Sequence, residues 1–336
     1  MAAPFLGANL NNDHVQRLML PTANEEEEPV FRFLQVNDMH VQSEVSRYNM
    51  KIGATYSGAN TRASWLLEEL KNNSYFPKLD FVMAVGDLIH GEVLEGIKYD
   101  MDYLHRHFVS QFPLPIYTAV GNHENAQHEG DTEYQYPYAQ VFGANRFNYS
   151  FVHKGIHFVV VNNSGTWTVK DNGIIVDRIN KFRSMMNEHA DLPKIVCCHI
   201  PLTPVREKEV LAKSFGFASY YTKEQEMLDI VGQHKGKVLA VLSGHLHLTG
   251  VVNIGNVAHI SLSGLASYPH DMAMYSVYSN RVEMEVLRVP SDLLVPSTNI
   301  HGAARFGKDF TDSTHHDYTS YLMGNALERK FILPLS

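Results

Sequence analysis

The stretch that most constrains this chain is residues 80–91, which read DFVMAVGDLIHG. Phe81, Val82, Met83, Ala84 and Val85 form an apolar run too short for a buried helix and of the right length for a buried strand. Gly86 and Asp87 end the run abruptly. A carboxylate at the carboxyl end of a buried parallel strand lies where open α/β sheets bind ligands. Gly86 lets the backbone turn sharply and approach whatever Asp87 holds. The arrangement recurs. Residues 30–36 lead into Asn37-Asp38-Met39-His40, and 116–120 into Gly121-Asn122-His123-Glu124. Residues 195–198 lead into His199-Ile200-Pro201, and 238–242 into Ser243-Gly244-His245-Leu246-His247. A sixth run, 156–161, ends in Asn162-Asn163. One such end is a plain turn; five place Asp, His and Asn along one edge of what reads as a single, largely parallel sheet.

Helical periodicity falls between these strands, at 62–71, 99–110, 176–189 and 223–233, which gives strand–helix alternation and an α/β fold. Residues 126–149 are the least regular and carry Tyr134, Tyr136, Tyr138 and Tyr149. They read equally as the lining of a substrate pocket or as self-packed surface aromatics. Residues 41–61, 126–149 and 201–221 follow ligand-bearing strands and are expected to surround the cleft. From Gly250 the texture changes to antiparallel: a hairpin over 251–260, then strands at 273–278 and 281–289. Residues 1–29, with Glu25–Glu28, read as a solvated tail, and 290–336 as an extension packing on the core or on a partner.

Composition excludes several classes. With 44% hydrophobic and 19% charged residues among 336, the chain has ordinary globular content. Its formal net charge is −8 and no Lys/Arg block occurs, so a nucleic-acid-wrapping surface is not expected. No apolar stretch reaches membrane-spanning length. No basic leader precedes an apolar run, which points to a cytoplasmic location, although a trimmed export signal would look the same. Cys197 and Cys198 are adjacent in a strand and should face opposite ways as buried small residues, without a disulfide. His270, His315 and several other histidines read as surface residues.

In order, the strand ends spell D-x-H (Asp38, His40), G-D (Gly86, Asp87), G-N-H-E (Gly121 to Glu124), a His before Ile-Pro (His199) and G-H-x-H (Gly244 to His247). This ordered set resembles the calcineurin-like metallophosphoesterase superfamily over about residues 30–289. The resemblance implies a four-layer α/β/β/α sandwich with a di-metal site at strand carboxyl ends. Phe142-Gly143, Asn148-Tyr149-Ser150-Phe151 and Gly155-Ile156-His157-Phe158 further resemble purple-acid-phosphatase-like and class III cyclic-nucleotide phosphodiesterase relatives. Two departures separate the chain from those subfamilies. Asn125 and Ala126 stand where an Arg often follows the G-N-H motif, and no Tyr accompanies Asp87.

By resemblance, one metal takes Asp38, His40, Asp87 and His247, and the other takes Asp87, Asn122, His199 and His245. Mixed imidazole and carboxylate donors suit two divalent or trivalent transition-metal ions, with Mn, Fe or Zn foremost. Asp87, with two oxygens, is the expected bridge. Two ions about 3.5–4 Å apart clamp an in-line displacement and supply hydroxide as nucleophile. His123 is the candidate general acid, and His90 a catalytic or orienting partner; Glu124 reads as structural. Arg47, Lys51, Arg146 and Arg206 are candidates for holding phosphate oxygens. The expected substrate is a small-molecule phosphodiester or phosphomonoester. A nuclease and a non-catalytic binding scaffold are the alternatives.

Overall fold

The computed structural model describes residues 27–49, 56, 58–91, 93–125, 132–164, 172–215, 224–295 and 310–335. The strands are β1 (Phe31–Val36), β2 (Phe81–Val85), β3 (Ile116–Ala119), β4 (Asn148–His153), β5 (Ile156–Val161), β6 (Lys194–Cys197), β7 (Val238–Ser243), β8 (Gly250–Ile254), β9 (Val257–Ser261), β10 (Asp271–Val277), β11 (Arg281–Arg288) and β12 (Lys330–Pro334). The helices used below are α1 (Ala59–Asn72), α2 (Leu94–His107), α3 (Asn122–Asn125), α4 (Thr132–Phe142), α5 (Asn172–Asn187), α6 (Lys208–Phe215), α7 (Gln225–Gln233), α8 (Tyr318–Met323) and α9 (Ala326–Arg329).

The strands form two six-stranded sheets, in the orders β12-β11-β10-β1-β2-β3 and β4-β5-β6-β7-β9-β8. This corrects the single sheet suggested by the strand ends and agrees with the α/β/β/α sandwich that the resemblance implies. The strands that lead to the candidate ligands are split: β1, β2 and β3 lie in one sheet, β6 and β7 in the other. The first sheet is parallel over β1, β2 and β3 and antiparallel from β1 through β10 and β11 to β12. The second is parallel at its centre and antiparallel at both flanks. Strand periodicity alone cannot separate one sheet from two, because a strand buried on both faces looks the same in either.

Alternation along β1 sets the layers. Phe31 and Phe33 point between the sheets, whereas Leu34 and Val36 pack outward. The inter-sheet layer joins Phe33, Phe81, Met83 and Tyr275 of the first sheet to Phe158, Val160, Ile195 and Cys197 of the second. Phe33 stacks on Phe81 at 5.1 Å and on Tyr275 at 4.5 Å, and the Phe158 ring meets Phe33 edge-on at 5.3 Å. Outside the first sheet lie Leu66, Leu67 and Leu70 of α1 with Ile97, Met101 and Leu104 of α2. Outside the second lie Phe182, Met185 and Met186 of α5 with Met227 and Ile230 of α7. The result is four layers, α/β/β/α. Cys197 faces the inter-sheet layer and Cys198 the α5 layer, both as free thiols pushed up in pKa by burial.

Residues 126–149 differ from their irregular reading where they are described. Thr132–Phe142 is helical, with Pro137 inside it. Tyr138 is fully buried against the first sheet, and the Tyr149 hydroxyl accepts the Thr118 N–H at 2.9 Å. These aromatics cover the β3 edge instead of lining a pocket, because each hydroxyl finds a backbone or side-chain partner on β3. At the β8–β9 turn, Gly255 and Asn256 both take positive φ, as a tight hairpin requires.

The C-terminal residues join the core. β12 pairs antiparallel with β11 and forms the outer edge of the first sheet. Arg206, expected to hold phosphate, instead has a fully buried side chain. Its Nε donates to Tyr321 O at 2.9 Å, Nη2 to Thr249 O at 2.6 Å, and Nη1 to Val205 O and Glu328 Oε1 at 2.9 and 2.8 Å. His315, expected at the surface, is buried between Asp312 (2.8 Å) and Glu328 (2.7 Å). His270 is buried too, bonded to Leu265 O and to the Val295 N–H.

Burial opposes charge on Glu328, Asp312 and His315 in this C-terminal clasp, and their partners outweigh it. Arg206 and His315 bring Glu328 down to about 2, and His315 brings Asp312 down to about 2. The two carboxylates raise His315 above its ordinary 6.5. Stability from the depressed Glu328 is complete above its ordinary 4.5 and is lost as pH falls toward about 2. Stability from His315 is complete below 6.5 and is lost as pH rises through its raised folded value. The stability difference between wild type and His315→Gln should therefore be greatest between pH 4.5 and 6.5 and shrink on both sides. Denaturant midpoints across pH measure this; a pH-independent difference would contradict the clasp.

Candidate metal centre

The loops that follow β1 and β2 stay zipped after the strands end. Asp38 N–H donates to Gly86 O, His40 N–H to Asp87 O, and His90 N–H to Val41 O, at 3.0, 3.1 and 3.0 Å. Of the seven candidate ligands, Asp38, His40, Asp87, His245 and His247 all have positive φ, between 46° and 68°. Such left-handed backbone in non-glycine residues costs about 1–3 kcal/mol each and gathers at functional sites. Gly86 makes the approach possible: a Cβ there would lie 2.5 Å from the His199 ring. A Cβ on Gly244 would run into Asp38.

Two of the three donor groups among the described residues share Asp87: one is formed by Asp38, His40, Asp87 and His247 and the other by Asp87, His199 and His245; the third gathers His40, His90 and His123. In the first, His247 Nε2 lies 3.1 Å from Asp38 Oδ1 and 3.3 Å from His40 Nε2. In the second, His199 Nε2 lies 3.0 Å from Asp87 Oδ2. Asp87 joins the groups through one oxygen: Oδ2 faces both His40 (3.8 Å) and His199, while Oδ1 accepts the His123 N–H at 2.9 Å. Asn122, at the start of α3, has its Oδ1 buried and accepting no hydrogen bond among the described residues.

The electrostatics fit cations. Burial lowers both His40 and His245 to about 3, so both imidazoles are neutral at pH 7 and offer a lone pair. His199 goes the other way, to about 10; burial opposes its charge, but Asp87 outweighs it. Asp38 and Asp87 are held below the usual carboxylate range, against their burial, chiefly by His247 and by His199 respectively. A buried set of two carboxylates, four imidazoles and an amide oxygen with an unused acceptor is a donor set for borderline transition metals. Metal at His199 Nε2 would displace a proton, which makes binding pH-dependent.

Outer contacts aim the ligands. His199 Nδ1 bonds Val85 O at 2.9 Å, and His247 Nδ1 bonds Ser267 Oγ at 2.5 Å, which leaves each Nε2 facing inward. Asp38 Oδ2 accepts the His245 N–H at 3.0 Å across the seam between sheets. Asn163 exchanges two hydrogen bonds with the Ile200 backbone, beside His199. Glu124 accepts the N–H groups of Asp87, Leu88, Ile89 and Gly121 at 3.0, 2.6, 3.3 and 2.5 Å. Burial and then Asp87 raise its pKa to about 7.

His123 is part-buried, with Nε2 4.0 Å from Asp87 Oδ2. Its Nδ1 hydrogen-bonds the His90 carbonyl, which sets the tautomer and turns Nε2 toward the donors. His90 is buried with its own pKa pushed down to about 4 by burial and by His123. The contact that orients His123 thus comes from the His90 backbone, which any residue at that position supplies.

The structure divides the four basic candidates. Arg47 lines a cleft of about 120 Å³ together with His40, Gln42, Tyr56, Asn60 and His90. Lys51 lies outside the described residues. Arg146 lies over the rings of Tyr117 and Tyr149, at 5.3 and 4.8 Å. Arg206 is removed from consideration by its burial in the clasp. Of the three segments expected around the cleft, 41–61 contributes Gln42, Arg47, Tyr56 and residues 58–61 to its lining, the described residues 132–149 and 201–215 do not line it, and 126–131 and 216–221 lie outside the described residues.

Two contributors were not singled out from the sequence, although Tyr56 falls in the 41–61 segment expected around the cleft. Tyr56 stacks on His40 at 4.2 Å and on His247 at 5.2 Å. Asp100, buried in α2, accepts the N–H groups of Ser43 and Gly91 at 2.7 and 3.0 Å, tying down the segments after His40 and His90. Only spatial proximity identifies Asp100.

Facing sheets with imidazoles and carboxylates at their shared seam define a metallophosphoesterase fold. The family model for calcineurin-like phosphoesterases matches residues 31–248, and the chain belongs to that family. Among curated proteins none matches the sequence. Similar solved structures include a dimetal phosphatase from Danio rerio, at 15% identity and TM-score 0.55, covering 77% of this chain and 96% of that one. A purple acid phosphatase from yellow lupin (Lupinus luteus) gives 17% and 0.56, covering 80% of this chain and 53% of that one. GAP50, the anchor in the inner membrane complex of Plasmodium, gives 14% and 0.51, covering 78% and 85%. At these identities the likeness is one of fold. No described helix is long and apolar enough to cross a membrane.

Glu124→Ala would orphan four buried N–H groups, at about 1–3 kcal/mol each. Glu124→Gln keeps one acceptor oxygen and should be intermediate. Denaturation together with metal content should show both falling in that order; wild-type metal content in a folded Glu124→Ala chain would separate this carboxylate from the site.

Proposed function

We propose that the chain is a two-metal phosphoester hydrolase acting on a small-molecule phosphodiester or phosphomonoester, with His123 delivering the proton to the leaving oxygen. The observation that carries the reading is the pair of donor groups sharing Asp87 Oδ2, with His123 Nε2 4.0 Å from the same oxygen. Asp38, His40, Asp87 and His247 would hold one transition-metal ion, and Asp87, Asn122, His199 and His245 the other. Ions bound there would neutralise charge on the phosphoryl group and activate water for in-line attack.

The remaining work falls to the chain. Because His123 Nδ1–H is committed to the His90 carbonyl, Nε2 carries a proton only in the imidazolium form. The proton at Nε2 can then pass to the departing alkoxide, which otherwise leaves poorly. Arg47, in the cleft beside His40 and His90, is the cation positioned to meet a phosphoryl oxygen or an anionic leaving group. The net charge of −8 and the lack of a basic run favour small substrates over nucleic acid.

His123→Asn retains a donor and similar bulk but cannot transfer a proton. On alkyl phosphoesters the rate should fall by about 10²–10⁴-fold, with a smaller loss on nitrophenyl esters and unchanged metal content. Equal losses on both ester types would assign His123 to charge stabilisation instead. Absence of turnover on mono- and diesters by metal-loaded wild type would favour a binding scaffold, and preferential turnover of polynucleotides would favour a nuclease.

A further inference from the structure

The loop that supplies His245 and His247 is strained, and it is held from outside the matched family region. His245 and His247 have φ of 68° and 51°. Such conformations persist only where the surroundings over-determine them. Much of that surrounding structure is C-terminal. Leu246 and Leu248, which alternate with the two histidines, are fully buried in a cluster with Val205, Phe310, Tyr321 and Leu322. Thr249, two residues after His247, has every polar group taken. Its N–H donates to Leu322 O at 2.7 Å, its carbonyl accepts Arg206 Nη2 at 2.6 Å, and its hydroxyl donates to Asp271 Oδ2 at 2.7 Å.

The other ends of these ties lock together. Arg206 reaches Glu328, Glu328 reaches His315, and His315 reaches Asp312. Glu328 Oε1 also accepts the Val251 N–H at 3.2 Å, just past the loop on β8. Arg329 pairs with the Asp271 carboxylate that accepts from Thr249. Arg206 itself sits seven residues beyond His199, so the same guanidinium joins the segments that follow both ligand-bearing strands of the second sheet.

We propose that the Arg206–Glu328–His315–Asp312 clasp positions His245 and His247 for metal, so that closing the C-terminal segment and retaining metal are coupled. Arg206, Glu328 and His315 are positioning residues, since none of them belongs to a donor group. The inference rests on the metal reading of the site. By linkage the coupling is reciprocal: metal tightens the clasp by the factor by which the clasp tightens metal.

The test uses the full chain loaded with Mn²⁺ or Co²⁺. Metal release into a chelator is followed for wild type, Arg206→Lys, Glu328→Gln and His315→Gln. Leu104→Ala, in the distant α2 layer, serves as a control of general destabilisation. Lys keeps the charge but cannot reach four acceptors in a planar fork. The clasp variants should release metal about 5–150-fold faster than wild type, the range ordinary for such coupling. Leu104→Ala should release it at the wild-type rate. In wild type, metal should slow hydrogen exchange in residues 318–333. His315→Gln, the mildest change, decides the matter if Arg206→Lys does not fold. Release from the folded clasp variants no faster than from Leu104→Ala, or exchange in 318–333 indifferent to metal, would overturn the proposal. Failure of wild type to take up either metal would instead overturn the metal reading beneath it.

Discussion

The site depends on one buried carboxylate. Asp87 is almost fully enclosed, faces imidazoles from both sheets through a single oxygen, and is held ionised against its burial by His199 and His123. An ionised carboxylate so enclosed is costly unless its surroundings compensate it. Here the compensation is spread over two sheets, so the sheets must meet at that point. The Glu124 carboxyl completes the arrangement by gathering the N–H groups around Asp87 that no strand can pair.

Much of the architecture follows from bringing the sheets together there. The stacked rings of Phe33, Phe81 and Tyr275 with the edge of Phe158 fill the inter-sheet layer, each pair adding about 0.5–1.5 kcal/mol beyond burial. Toward the site this apolar layer gives way to a polar stitch. Gln35 accepts from the Tyr275 hydroxyl and donates to Ser243 O, joining β1 to the strand that ends in the second pair of histidines. The layer is therefore dry at one end and hydrogen-bonded at the other, and the donor groups begin where the stitch ends.

Core positions ask only for apolar side chains of suitable volume, so their identities are free to differ. Positions at the seam ask for particular chemistry. His199 must fit against Gly86, and Asp38 against Gly244, because no side chain has room at either glycine.

The donor residues Asp38, His40, Asp87, His199, His245 and His247, which the fold gathers, were legible because their signal is local. A short apolar run followed by Gly-Asp, Gly-Asn-His or Gly-His-x-His can be read within ten residues, and period-two alternation sends Cys197 and Cys198 to opposite layers. Everything that depended on a distant partner was decided by tertiary structure. Arg206 read as a phosphate ligand until Glu328, 122 residues away, and three carbonyls took its guanidinium. His315 read as a surface residue for the same reason. Tyr138 and Tyr149 joined the β3 edge once Thr118 lay within reach of their hydroxyls. The split into two sheets had no local trace, because a strand covered on both faces carries the same apolar pattern whichever strand lies beside it. The sequence by itself determined which side chains could bind metal. Only the fold decided that β1, β2 and β3 face β6 and β7 across a seam, since charge compensation and hydrogen-bond partners depend on distance in space and not along the chain.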